Sequence, residues 1–341
     1  MQADLVGLRL AGQDFTGWTG VSIGMAIDQV ADTFSLSLPY DPANSRLRGV
    51  IRPFGYEPVE VRLDDELLLT GRVDKIDAAV SAGERMLTVE GRSLTGTLVD
   101  CGIEGALEYS GLALSTIARK ICQPFGVAVR ADNDTNPIEI ARAEYGQSPA
   151  DFLNSLAAPR NLFLNSSYDG KLVISWARTL VQRPAVATLI EGQHPILAVN
   201  ASFDGTHRYS KYLQATQFAG AVDIVGQATD GGVNVYRPHL AAVGDTDTDP
   251  GATARRARTA ALVGAVAVSV SLHGWRRPDG ARWAERQAVT LKAPGVMLET
   301  ETKYIIAGVT CKLDAGGKTV DLRLVLPELY AGEIPGSMPW E

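Results

Sequence analysis

Apolar and polar residues alternate with a period of two through much of the chain, and the alternation stops at residues that favour turns. Phe34, Leu36 and Leu38 alternate with small polar residues in DTFSLSLP, a half-buried strand closed by Pro39. Asp41, Pro42, Asn44 and Ser45 then supply a loop. Val59, Val61 and Leu63 begin another strand, Asp64 and Asp65 turn it into LLLTGRV, and Leu87, Val89 and Gly91 finish the unit. From Leu5 to about Val99 this predicts short strands joined by hairpins, hence a small antiparallel barrel or sandwich.

The period changes between about Cys101 and Trp176. After Ser110, Leu114, Ile117, Ala118 and Ile121 fall at helical spacing, and Pro124 and Gly126 end the run. A second helix opens at Ser148-Pro149, with Ser148 as N-cap, Pro149 at the first helical position and Asp151 in the positive first turn. Phe152, Leu153 and Leu156 give its apolar face. LFLNSSYDGKLVISW then reads as a hairpin turning at Asp169-Gly170. Strands or connections follow to Ser210, with a turn at Asp204-Gly205, and GDTDTDPG is a loop. ATARRARTAALVGA predicts a short helix running into the strand VAVSVSLH, and GEIPGSMPWE reads as an extended tail.

Two stretches carry the same cassette: Val59 to Leu94, and Val289 to Leu326, about 230 residues further on. Each has an alternating strand, then a strand meeting a Gly-Arg-Val or Gly-Val step (Gly71 to Val73; Gly308, Val309). Each then has a turn containing Gly83, or Gly316 and Gly317, and a closing strand of strict alternation. The Gly-to-Gly interval is longer in the first (Gly71 to Gly83) than in the second (Gly308 to Gly316). A repeat at this separation implies a duplicated β-domain with an insertion between the copies. The fold class is mainly β with an α+β insertion: two similar small antiparallel β-barrels plus a mixed α/β domain. The domains expected are a first barrel at 1–99, a mixed α+β domain at 100–178 and 211–265, a second barrel at 179–210 and 266–330, and the tail at 331–341.

The chain has 341 residues, enough for two or three domains, and a net charge of −7 argues against a basic nucleic-acid-binding surface. Cys101, Cys122 and Cys311 are too few and too scattered for a disulfide framework or a Cys-based metal site, and read as buried free thiols in a reducing compartment. The first residues carry no signal-peptide pattern, and no apolar run approaches the ~20 residues of a membrane span. A soluble protein made in the cytoplasm is expected.

Candidate chemistry is sparse. His194, His207, His239 and His273 share no metal-ligand spacing, and neither a GxSxG elbow nor a phosphate-cradling glycine loop is present. Asp245, Asp247 and Asp249 slightly resemble a calcium loop, but the sixth-position glycine and the distal glutamate are missing, so a solvated loop is the reading. No catalytic residue, cofactor or metal is expected. Arg255, Arg256 and Arg258 either meet a carboxylate-rich partner or form a solvated helix face. Trp275, Arg276, Arg277 and Trp283 flank a turn at Asp279-Gly280 that either packs on a neighbouring subunit or belongs to the core. These seven are the candidate partner-binding residues.

ATARRARTAA, VAVSVSLHGWRRPDGARWAERQAVTLKAP and YIIAGVTCKLDAGGKTVDLRLVLPE together resemble the carboxy-terminal part of Mu-like phage baseplate hub proteins. DTFSLSLPYDP, VEVRLDDELLLTGRVDKID and GQSPADFLNSLAAPRNLFLNSSYDGKLVIS agree with the first half, so the resemblance spans roughly residues 5 to 330. The family is related to the late-control D proteins of phage tails and to the amino-terminal portion of type VI secretion spike proteins. It implies a structural protein of a contractile-tail baseplate in the virion, forming a homotrimer. Three subunits with two barrels each would form a pseudo-sixfold ring between the sixfold tail tube and the threefold central spike, contacting other baseplate proteins. DNA would pass through the channel only transiently. The first cassette has no counterpart of GWRRPDGARW, so the two barrels should present different loops. The competing readings are a cell-wall-degrading tail enzyme, for which no segment remains unassigned, and a carbohydrate-binding receptor protein, for which the tryptophans are few and not arrayed on one face.

Overall fold

In the computed structural model, which describes residues 5–41, 43, 49–180, 182–218, 221–243, 249–331 and 337–341, the alternation of the first hundred residues becomes seven strands. They are β1 (Val6–Leu10), β2 (Gln13–Phe15), β3 (Gly20–Ala26), β4 (Thr33–Pro39), β5 (Pro58–Leu63), β6 (Glu66–Ser81) and β7 (Glu84–Ser93). Val59, Val61 and Leu63 of β5 are buried while Pro58, Glu60 and Arg62 are not, as a one-face-buried strand requires. The loop residues Pro42, Asn44 and Ser45 lie outside the described residues.

The middle of the chain gives β8 (Glu108–Leu112), helix α1 (Leu114–Cys122), β9 (Val129–Ala131), β10 (Ile138–Arg142), helix α2 (Pro149–Ala157), β11 (Leu162–Ser166) and β12 (Leu172–Trp176). Both helices lie over the apolar positions read from the sequence, and Ser148 Oγ accepts from Asp151 N at 3.0 Å. Ser110 belongs to β8. The first turn of α1 is capped from a distance, Asp134 Oδ1 accepting from Ser115 N and Thr135 Oγ1 from Leu114 N, both at 3.0 Å. Gly126, at φ +69°, ends the turn after α1 in the left-handed region that glycine adopts freely. A separate apolar core, made of Val30 and of residues from Leu98 to Ile174, lies under these helices.

β13 (Ala185–Ile190) and β14 (Ile196–Phe203) lead to a small sheet of β15 (Lys211–Phe218), β16 (Ala221–Thr229) and β17 (Pro238–Ala242). Helix α3 (Pro250–Gly264) packs on that sheet around Tyr212, Ala228 and Ala254. The rest is β18 (Val266–His273), β19 (Ala288–Ala293), β20 (Leu298–Asp314) and β21 (Gly317–Val325). Of the tail, Thr300 N donates to Pro339 O at 3.3 Å and the Trp340 ring meets Phe203 edge-on, while 332–336 lie outside the described residues.

The two barrels expected from the sequence are not closed. A single 13-stranded sheet runs β14-β18-β21-β20-β3-β4-β7-β6-β5-β1-β2, with β19 on β20 and β13 on β19. Both halves share one apolar core, from Val6 to Leu326. The physical reason is strand length: β20 pairs through its first half with β19 and through Gly308–Leu313 with β3, so it hands the sheet on instead of closing it.

Pairing registers match the halves strand by strand: β3 with β14, β4 with β18, β5 with β19, β6 with β20 and β7 with β21. Each long strand carries a bulge against its closing strand, at Asp74 in β6 and at Ala307 in β20. From bulge to turn the two run in step, Asp74 with Ala307, Ser81 with Asp314 and Gly83 with Gly316. Phe34 and Leu36 match Val268 and Val270. This corrects the sequence match of the two Gly-Val steps. Gly71 corresponds to Tyr304 and Gly308 to Lys75, so the unequal Gly-to-Gly intervals disappear. The outermost strands differ, since β1 is antiparallel to β5 whereas β13 is parallel to β19.

Candidate assembly surface

Helix α3 starts at Asp249, whose carboxylate accepts from Gly251 N and Ala252 N at 3.0 Å each, with Pro250 in the first turn. Its three arginines diverge. Arg255 is exposed and reaches back to Asp249 at 3.4 Å. Arg256 donates to the Pro159 carbonyl, and Arg258 to Thr229 O at 3.0 Å, tying the helix to the middle core and to β16. Of the DTDTD run, Asp249 is therefore a helix cap, while Asp245 and Asp247 lie outside the described residues. Among the described residues no cluster of three or more His, Cys, Asp or Glu could hold a metal ion. No helix among them is long and apolar enough to cross a membrane.

The GWRRPDGARW segment folds inward. Trp275 is buried and its Nε1 donates to Lys312 O and Thr319 O at 2.9 Å each, while Trp283 is buried in the shared core. Arg276 donates to Asp64 at 2.9 Å and Arg282 to Glu66 at 3.0 Å, so the second half grips the β5–β6 turn of the first. Arg277 pairs with Asp279 at 2.8 Å. This loop binds its own chain. The signal for it was the acidic turn itself: Asp64-Asp65-Glu66 supplies carboxylates to a loop carrying Arg276, Arg277 and Arg282.

Between the shared core and the middle domain lies a polar cleft of about 540 Å³ lined by Asp32, Glu66, Arg130, Asp132, Arg282 and Arg286 among others. Arg286, at φ +68°, donates to Asn165 Oδ1 at 2.7 Å and to Ser175 Oγ at 3.1 Å, and burial lowers its pKa. Burial, reinforced by the neighbouring Glu285 charge, pushes the Asp32 carboxyl up to about 8. Sequence reading did not single out Asp32, because nothing in a loop aspartate's sequence context reports its burial.

Two family models match. Residues 5–93 match the Mu phage baseplate assembly protein GpP-like N-terminal model, and residues 95–176 match the second domain of baseplate hub protein gp44-like. The first match ends where β7 ends and the second where β12 ends. Over 331 residues the chain is 28% identical to baseplate hub protein gp44 of Escherichia phage Mu, covering 92% of this chain and 85% of that one. Both models and this relative make the chain similar to the Mu-like baseplate hub proteins. Its role in the virion is that of a structural component of the phage tail baseplate. The 43 kDa tail protein of prophage MuSo2 from Shewanella oneidensis superposes on this hub chain with a TM-score of 0.83 at 25% identity, covering 96% of this chain and 99% of that one. A tail protein from Neisseria meningitidis MC58 shares the fold, with a TM-score of 0.81 at 21% identity, covering 96% and 98%.

Proposed function

We propose that three copies of this hub chain form a ring of pseudo-sixfold symmetry between the sixfold tail tube and the threefold central spike. The observation that supports this is the pair of five-strand repeats, equivalent in strand order and register and joined edge to edge within one chain. A nearly sixfold surface made by three subunits has to be tiled by near-copies, two per subunit. The ring leaves a central channel through which DNA passes, and its net charge of −7 suits a wall that does not grip phosphates. The units of the assembly are the divisions 1–99, 100–178 with 211–265, and 179–210 with 266–330. Partners are the spike, the tube and other baseplate proteins, and the chain performs no turnover. Of the seven candidate contact residues, Arg255 keeps an exposed guanidinium for a partner.

Native mass measurement and imaging of the purified chain test the reading. A trimer with threefold or pseudo-sixfold projections is expected. A monomer at every concentration that never joins a trimeric spike overturns it. Clearing of peptidoglycan in a zymogram would overturn the absence of catalysis.

A further inference from the structure

The seam inside the chain is formed by two edges: Gly308–Leu313 of β20 and Val21–Ala26 of β3. By the repeat equivalence, the counterparts of these edges are 75–80 of β6 and 199–204 at and just beyond the end of β14. Among the described residues both counterparts are unpaired. β6 pairs with β5 only as far as Arg72, beyond which its second half has β7 alone, and β14 is the last strand of the sheet path. A long free edge with apolar side chains invites pairing with another strand.

The side chains at the two free edges repeat the seam. Within the chain, Val309 lies opposite Met25 and Cys311 opposite Ile23, all buried, and the half-buried Leu313 lies opposite buried Val21. Their counterparts are Ile76, Ala78 and Val80 on β6, and Val199, Ala201 and Phe203 on β14. These positions are apolar at the same alternate spacing yet partly or largely open, Val80 being 75% exposed and Phe203 41%. On the other face, transferring the seam register sets Lys75 opposite Asp204, an opposite-charge pair.

We infer that the second half of β6 in one copy pairs antiparallel with β14 of a second copy, with Ile76 opposite Phe203, Ala78 opposite Ala201 and Val80 opposite Val199. The contact is head to tail, so successive copies join through the same two edges and close into a ring when the rotation permits. The inference rests on the ring reading above and adds to it which edges meet and in what register.

Cysteine cross-linking tests it. The register sets Ala79 opposite Asn200, and directly opposed residues of an antiparallel pair lie ~4.5–5.5 Å apart at Cα, within disulfide reach. In a Cys101→Ser background, since Cys101 is exposed, Ala79→Cys with Asn200→Cys is oxidised both as purified chain and in assembled particles. Covalent dimers and trimers are expected from the double variant and none from either single variant. Val80→Lys should lower the trimer fraction at least tenfold with an unchanged thermal unfolding midpoint. Particles that show a threefold hub by imaging but no cross-link at this pair overturn the strand pairing and leave the ring intact. A hub without threefold symmetry overturns both.

Discussion

Asp64 and Arg276 are joined by a hydrogen-bonded ion pair at 2.9 Å, although they belong to opposite halves of the chain. Asp64 Oδ1 also accepts from Leu5 N at 2.9 Å, so one carboxylate holds the start of β1 and the loop after β18. Both side chains are mostly screened from water. Arg276→Ala should therefore cost about 2 kcal/mol, between the values for surface and buried pairs. Urea denaturation measures this, and a loss near zero would reduce the pair to a surface contact.

Stability should depend on pH through Asp32. Its carboxyl is raised to about 8 in the folded chain, against an ordinary value near 4 when unfolded. A raised folded value means the contribution is fully present below about pH 4 and is lost as pH climbs towards 8, because the unfolded chain releases this proton first. Asp32→Asn should flatten that decline, by on the order of 1 kcal/mol per pH unit within the window. Unfolding midpoints of the two proteins between pH 5 and 8 check this; parallel curves would exclude it.

Alanine at two glycines should separate sharply. A Cβ on Gly71 would lie 1.9 Å from Arg92 O, whereas one on Gly308 meets nothing nearer than 3.4 Å. Gly71→Ala should destabilise by several kcal/mol, on the order of ~3 or more, and Gly308→Ala by less than about 1. Equal losses in thermal unfolding would contradict the register that makes these glycines non-equivalent.

Ser148→Ala removes the acceptor for Asp151 N at the start of α2 and should cost about 1 kcal/mol. Ser148→Asp should restore most of it. Rescue in equilibrium denaturation distinguishes capping from simple packing of the serine.

What was legible in the sequence was local. Phe34-Leu36-Leu38 and Val59-Val61-Leu63 announce their strands because alternation needs only neighbouring residues, and Ser148-Pro149 announces α2 for the same reason. The repeat was legible too, but its alignment slipped to the glycines. A bulge is a pairing property, and nothing at Asp74 or Ala307 marks one. The distant caps of α1 from Asp134 and Thr135, and the junction of β20 with β3, depend on the folded path and have no local signature. Trp275 and Trp283 looked as suited to a subunit contact as to a core. Burial decided for the core, and their arginine neighbours hold the two halves together.

That the β20–β3 junction joins two repeats of one chain has a consequence of parity. A closed assembly of chains that each contain two units always has an even number of units, so five or seven cannot occur. Half of its junctions form during folding, at no cost in translational freedom, and only the other half form by docking of separate chains. In the proposed ring, alternate positions would also be free to diverge, so that one face could approximate six equal neighbours while the other keeps three.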